Sequence, residues 1–153
     1  MKQYKTYSPE ETKKVASDLA KKITSGTIAL SGELGAGKTT FVQGFAKGLG
    51  IKDKIISPTF VLIRQHKFNE KNLPARLAKA STKRAGRQVL YHIDLYRLEG
   101  NIDIKELGIE ELILNTNNII LIEWAEKIEK YLPKNLVKIN IEKKLDYRLI
   151  TIF

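Results

Sequence analysis

The chain has 153 residues, 42% of them apolar, which is enough for the core of one ordinary compact domain. It has no cysteine and two histidines, so disulfides, thiolate metal sites and a His-rich zinc site are excluded. No apolar run reaches the roughly 18 residues of a membrane span, the N-terminal MKQYKTYSPEE has no signal-peptide core, and a net charge of +10 favours a polyanionic partner.

Taken in chain order, residues 2–7 read as a first strand. Ser8-Pro9-Glu10-Glu11 is a helix start, with a serine cap, proline at the first helical position and Glu11 placed for a capping box. Val15, Leu19 and Ile23 recur every four residues beside Ala16 and Ala20, which predicts one apolar helix face ended by Gly26. Residues 27–30 form a short buried-type strand feeding a glycine loop. Phe41, Val42, Phe45, Ala46 and Leu49 mark the helix behind that loop, with Gly50 past its end. Ser57-Pro58-Thr59 breaks the chain before a strand expected at 60–64.

Residues 67–87 then carry Lys67, Lys71, Arg76, Lys79, Lys83, Arg84 and Arg87 against Glu70 alone, more than half of the net charge. A strand follows at 89–94, a helix at 102–114, a polar turn at 115–118 and a fully apolar strand at 119–122 leading into Glu123 and Trp124. The alternation of Val137-Ile139-Ile141 and Leu149-Thr151-Phe153 predicts a closing hairpin. Helices and strands interleave without a linker or repeat. The expectation is a single α/β domain over 1–153, a three-layer sandwich of the P-loop NTPase kind. Its central sheet is mostly parallel, with a C-terminal antiparallel hairpin and a basic insertion at about 69–88.

The loop SGELGAGKTTF at 31–41 carries the chemistry. Read as Gly32-x4-Gly37-Lys38-Thr39, it is a complete phosphate-binding loop, formed by Gly32, Glu33, Leu34, Gly35, Ala36, Gly37, Lys38, Thr39 and Thr40. A strand that turns through glycines into a helix points several backbone N–H groups at one spot, and these with the helix N-terminus make an anion nest. Lys38 reaches the β and γ phosphates, Thr39 is placed for Mg²⁺ and Thr40 for the α phosphate.

Phosphoryl transfer also needs a carboxylate near the metal and a group that orients water. Asp94 in YHIDLYRL and Glu123 in IILIEW sit at the ends of apolar strands, where an open α/β sheet presents its ligand crevice. Both are expected catalytic and metal-site residues, and the sequence assigns neither one to the metal or to the water. Thr59 lies where a γ-phosphate sensor would, although a plain turn reads as well there. Trp124 is placed for core packing, or for stacking on the nucleotide or a partner, whereas His92 reads as packing. The guanine-reading Asn-Lys-x-Asp is absent, which leaves ATP as the expected nucleotide.

GELGAGKTTFVQG (32–44), SPTF (57–60), YHIDLYRL (91–98), ELGIEE (106–111) and LIEWAEKI (121–128) come in the order and spacing of the TsaE family, also called YjeE, which the chain resembles from its first helix to about residue 132. The resemblance implies a small bacterial ATPase needed to make N6-threonylcarbamoyladenosine in tRNA. It would bind the TsaD–TsaB complex and let that complex cycle through ATP binding and hydrolysis. It implies Lys38 and Thr39 at phosphate and Mg²⁺, Asp94 and Glu123 as the acids of hydrolysis, Thr59 as a switch-like residue and Trp124 as a nucleotide-site or partner residue. The missing cysteines and signal core fit a cytoplasmic location, and the lack of a long apolar run fits a chain with no membrane span. The basic insertion departs from the family pattern, and it reads either as a solvated segment or as a contact to tRNA phosphates. Two rivals share the loop: a small-molecule or nucleotide kinase with the insertion as its lid, and a nucleic-acid-binding protein in which the loop is secondary.

Overall fold

The computed structural model describes residues 1–58, 61–68, 88–100, 102–115 and 117–153. Thr59 and residues 69–87, and with them the sensor and tRNA-contact expectations, lie outside the described residues.

Strand β1 (Lys2–Thr6) leads into helix α1 (Pro9–Ala20). The Ser8 hydroxyl accepts from the Glu11 N–H at 3.1 Å, and the Glu11 carboxylate accepts from the Tyr7 N–H at 2.8 Å, so the returning bond of the box falls one residue before the cap. Strand β2 (Gly26–Ser31) runs through the glycine loop into helix α2 (Lys38–Gly48). The two helices pack closely through small residues. Ala16 and Ala20 are fully buried, while Val15, Leu19 and Ile23 are half-buried at the edge of the same core. A Cβ at Gly44 would lie 2.4 Å from the Lys13 Cα, and one at Gly48 would lie 2.6 Å from the Ser17 carbonyl oxygen, so these glycines set how near the helices come.

The remaining elements are β3 (Ile63–Phe68), β4 (Gln88–Asp94), α3 (Ile109–Leu114), β5 (Ile119–Glu123), a 3₁₀ segment at Ala125–Tyr131, β6 (Val137–Lys143) and β7 (Arg148–Ile152). Two expectations need correction. The strand expected at 60–64 begins at Ile63, because the N–H groups of Val61 and Leu62 both turn back onto the Pro58 carbonyl. The helix expected at 102–114 covers only its last turns. Gly108 takes a left-handed φ of +67° and breaks the run, although Ile102 and Ile104 are still buried.

The seven strands form one mixed sheet in the order β1-β7-β6-β2-β5-β4-β3. The four central strands are parallel, as expected, but three of the six pairings are antiparallel, because β3 and the β1–β7–β6 meander flank the centre. Alternation along the strands sends Ile28, Leu30, Leu90, Ile119 and Leu121 to the face covered by α1 and α2. Ala29, Ile93, Ile120 and Ile122 go to the opposite face, which α3 and the 3₁₀ segment cover. Strand β5 is buried on both faces, as a central parallel strand must be. Among the described residues no helix is long and apolar enough to cross a membrane.

His66 on β3 is buried, and its Nε2 has no hydrogen-bond partner among the described residues. Burial, reinforced by the neighbouring His92, lowers its pKa below the ordinary value of 6.5. The folded chain therefore resists a proton that the unfolded chain accepts. This costs nothing above pH 6.5 and destabilises the fold as pH falls below it. In urea unfolding at several pH values, His66→Leu is expected to lose less stability on acidification than the parent chain.

Candidate functional site

The register of the central strands gathers the predicted residues. Leu30, near the end of β2, pairs with Glu123, and Glu123 pairs with Asp94 at the end of β4. Both acids thus stand side by side at the carboxyl ends of parallel strands, next to the start of the glycine loop. That loop lies against β6: a Cβ at Gly32 would fall 2.3 Å from the Ile141 carbonyl oxygen. Among the described residues, the N–H groups of Lys38, Thr39 and Thr40 have no backbone acceptor, which leaves the first turn of α2 with free donors and the positive end of its dipole.

A pocket of about 410 Å³ opens over this turn. Leu34, Gly35, Gly37, Lys38, Thr39 and Thr40 line it from the loop and α2, and Asp94, Glu123 and Trp124 line it from the strand ends. Gly32 and Glu33 contribute their carbonyls, which accept from Lys38 Nζ at 2.6 and 2.9 Å. Ala36 is instead fully buried beneath the loop. Lys38 is itself buried, and burial lowers its pKa although Glu123, Glu126, Asp94 and Glu33 pull it back up. Its Nζ lies 3.7 Å from the centre of the Trp124 ring. Trp124 reaches that position through a left-handed backbone at φ +59°, a costly conformation for a bulky residue, held by its N–H donating to the Leu30 carbonyl at 3.0 Å.

The two acids have different neighbours. Thr39 Oγ1 lies 3.1 Å from each oxygen of Glu123, and His92 Nε2 lies 2.7 Å from Glu123 Oε1. Asp94 accepts from the Ser57 hydroxyl and from the Tyr96 N–H at 3.0 Å. Glu123 therefore belongs to the loop's threonine, and Asp94 to the turn around Ser57. Among the described residues no cluster of three or more His, Asp or Glu side chains forms a metal site.

Three neighbours went unread as site residues in the sequence: His92, Ser57 and Tyr96. His92 was placed in the packing, and it is fully buried, yet its side chain is the donor that fixes Glu123. Its two-residue spacing from Asp94 puts both on one strand face, a signal that becomes useful only once β5 is known to lie beside β4.

A sequence model of the family described as "Threonylcarbamoyl adenosine biosynthesis protein TsaE" matches residues 6–150. The chain belongs to the TsaE family. Its relatives include the tRNA threonylcarbamoyladenosine biosynthesis protein TsaE of Bacillus subtilis, 40% identical over 149 residues, with 95% of this chain and 82% of the relative covered. The TsaE protein of Rickettsia conorii is 40% identical over 137 residues, covering 88% of this chain and 67% of its own length. Among solved structures, Bacillus subtilis YdiB superposes with a TM-score of 0.69 at 34% identity, covering 99% of this chain and 83% of that one. The TsaE match takes in every described site residue named above, as well as the mixed sheet from the end of β1 into β7.

Within this TsaE chain the His92–Glu123 pair makes a stability prediction. His92→Phe keeps the bulk but leaves a buried carboxylate short of a donor, at a cost of about 1–3 kcal/mol. Urea unfolding at neutral pH should show that loss, and His92→Gln, which restores a donor, should recover part of it.

Proposed function

We propose that this TsaE-family chain is a Mg²⁺-dependent ATPase that serves tRNA threonylcarbamoyladenosine synthesis by binding a TsaB–TsaD complex and permitting its repeated turnover. The observation that carries the reading is the convergence of Lys38, Thr39 and Glu123 at the mouth of the loop, with Asp94 on the adjacent strand.

The residues fit a nucleoside triphosphate on three counts. The N–H groups of Lys38, Thr39 and Thr40, which have no backbone acceptor among the described residues, can receive phosphate oxygens. Lys38 can exchange its two carbonyl contacts for the β and γ phosphates, whose charge would also raise its lowered pKa. A divalent ion would be held by Thr39 and Glu123, and when bound it supplies neutralisation of charge on the transferring phosphoryl group. Glu123, fixed by His92, keeps a carboxylate at the threonine whether or not the site is filled. Asp94, held by Ser57 and Tyr96, takes the part of the acid that orients the attacking water. On this reading the two acids take different roles.

The turn around Ser57 also supplies a route from nucleotide to partner. It is tied to α2, because the Gln43 side-chain amide donates to the Ile55 carbonyl at 3.1 Å, and to Asp94 through Ser57. A γ-phosphate that reaches Asp94 through the attacking water, or that accepts from the Thr59 hydroxyl, would tighten this segment, and its loss would release it. The net charge of +10 suits a partner that carries tRNA, contacted indirectly or through residues 69–88, in the cytoplasm. The test is equilibrium ATP binding with and without Mg²⁺, together with phosphate release by the chain alone and with TsaB–TsaD. Saturable binding and partner-stimulated release are expected. No nucleotide binding, or transfer of phosphate to an added nucleoside, would contradict the reading.

A further inference from the structure

We propose that the outer edge of β1, with the apolar groove between it and α1, takes up an extended segment of a partner polypeptide in which apolar and acidic residues alternate. The groove shares no residue with the phosphate pocket, so this inference stands apart from the nucleotide reading.

β1 is the outermost strand on its side of the sheet, and β7 is its only strand partner among the described residues. No other backbone hydrogen bond joins residues 2–6 to the described chain, so the outer N–H and carbonyl groups are open to one more strand. Alternation puts Lys2 and Tyr4 on one face of β1, and Lys2 pairs with Ile152 of β7. Tyr4, Ile152, Val15 and Leu19 are half-buried against the main core and line a groove of about 510 Å³ along the flank of α1. A strand added to β1 would turn every second side chain into this groove.

Charge selects the occupant. Lys2, Lys14 and Lys22 also line the groove, and none of them has a carboxylate partner among the described residues. Its one acid, Asp18, is taken by Lys21 at 2.9 Å. Lys5 adds an exposed cation on the other face of β1. Lysines along a free edge oppose pairing with a second copy, which would set like charges together, and they favour a strand that carries carboxylates. Nucleic acid fits less well, because half-buried aliphatic side chains offer a phosphate nothing and Tyr4 is the single ring in the groove. β1 runs parallel to β2, so Lys2 lies at the end of the sheet opposite the glycine loop, and a partner held there leaves the phosphate pocket open.

The test titrates the full chain with a fluorescein-labelled peptide of alternating valine and glutamate, and follows amide hydrogen exchange in β1. Saturable binding and slower exchange of the β1 amides are expected. The double variant Lys14→Gln/Lys22→Gln should bind the peptide about tenfold more weakly. Both lysines are exposed, so the unfolding midpoint of the variant should match the parent's. A peptide with proline in place of its central valines cannot donate to the ladder, and it should lose about tenfold as well. No binding of the valine–glutamate peptide, or equal binding of polyglutamate, overturns the proposal. So does peptide affinity unchanged in the double variant. Displacement of the peptide by tRNA, with tRNA binding weakened by the same variant, overturns it in favour of a nucleic-acid surface. Dimerisation of the chain that the peptide competes away overturns it in favour of a second copy.

Discussion

Replacing Glu123 by glutamine is expected to leave ATP bound and to slow its hydrolysis by about 10²-fold or more. The substitution changes charge but hardly changes size, so the pocket keeps its shape. What is lost is specific. The carboxylate is 2% exposed and is shared between His92 at 2.7 Å and Thr39 at 3.1 Å. An amide offers one acceptor oxygen where the carboxylate offers two, and it turns a donor toward one of these neighbours. The threonine that should face the metal then loses its anionic companion, and with it the charge that a divalent ion needs at this point. Binding energy from the N–H groups and from Lys38 is untouched, so the loss falls on turnover. Asp94→Asn should slow turnover too, through the group that orients water. Direct titration of ATP, followed by single-turnover phosphate release, separates the two steps. Hydrolysis at the parent rate in Glu123→Gln would remove Glu123 from the mechanism.

Lys38→Ala has the second large effect, and it falls on binding. Removing the buried cation leaves phosphate charge facing only neutral donors, at a cost of about 2–5 kcal/mol, or roughly 30-fold or more in affinity. The fold should tolerate the change, because the lysine is buried against carbonyls at a desolvation cost that alanine does not bear. The same burial sets a pH dependence. The unliganded lysine has a lowered pKa, so its charged form is lost at a lower pH than for an ordinary lysine. ATP affinity should therefore fall as pH rises toward that value, with a proton taken up on binding. Lys38→Arg holds its charge throughout and should flatten the profile. ATP bound by Lys38→Ala as tightly as by the parent would move the site elsewhere.

Much of this site was legible because its chemistry is local. The glycine loop, the strand before it and the helix after it occupy consecutive residues, and Asp94 and Glu123 each end an apolar run that announces its own strand. The pairings across strands were not legible. That Glu123 belongs to Thr39 and His92, while Asp94 belongs to Ser57, follows from the order β2-β5-β4, which no stretch of sequence states. The half-length helix at 109–114 turned on Gly108, whose left-handed backbone outweighed an apolar pattern that continued on both sides of it. The pairing of β1 with β7 brings together strands more than a hundred residues apart in sequence, and it too lies beyond local pattern.

The central claim is that nucleotide turnover by this chain lets a tRNA-modifying complex cycle. Multiple-turnover modification of tRNA by the matching TsaB–TsaD pair, supplied with threonylcarbamoyl-adenylate, tests it most directly. The assay is run with and without the chain, and with ATP or a non-hydrolysable analogue. Repeated rounds that require both the chain and hydrolysable ATP, and that stop with Glu123→Gln, are the predicted result. Turnover indifferent to the chain, or supported equally by the analogue, would contradict it.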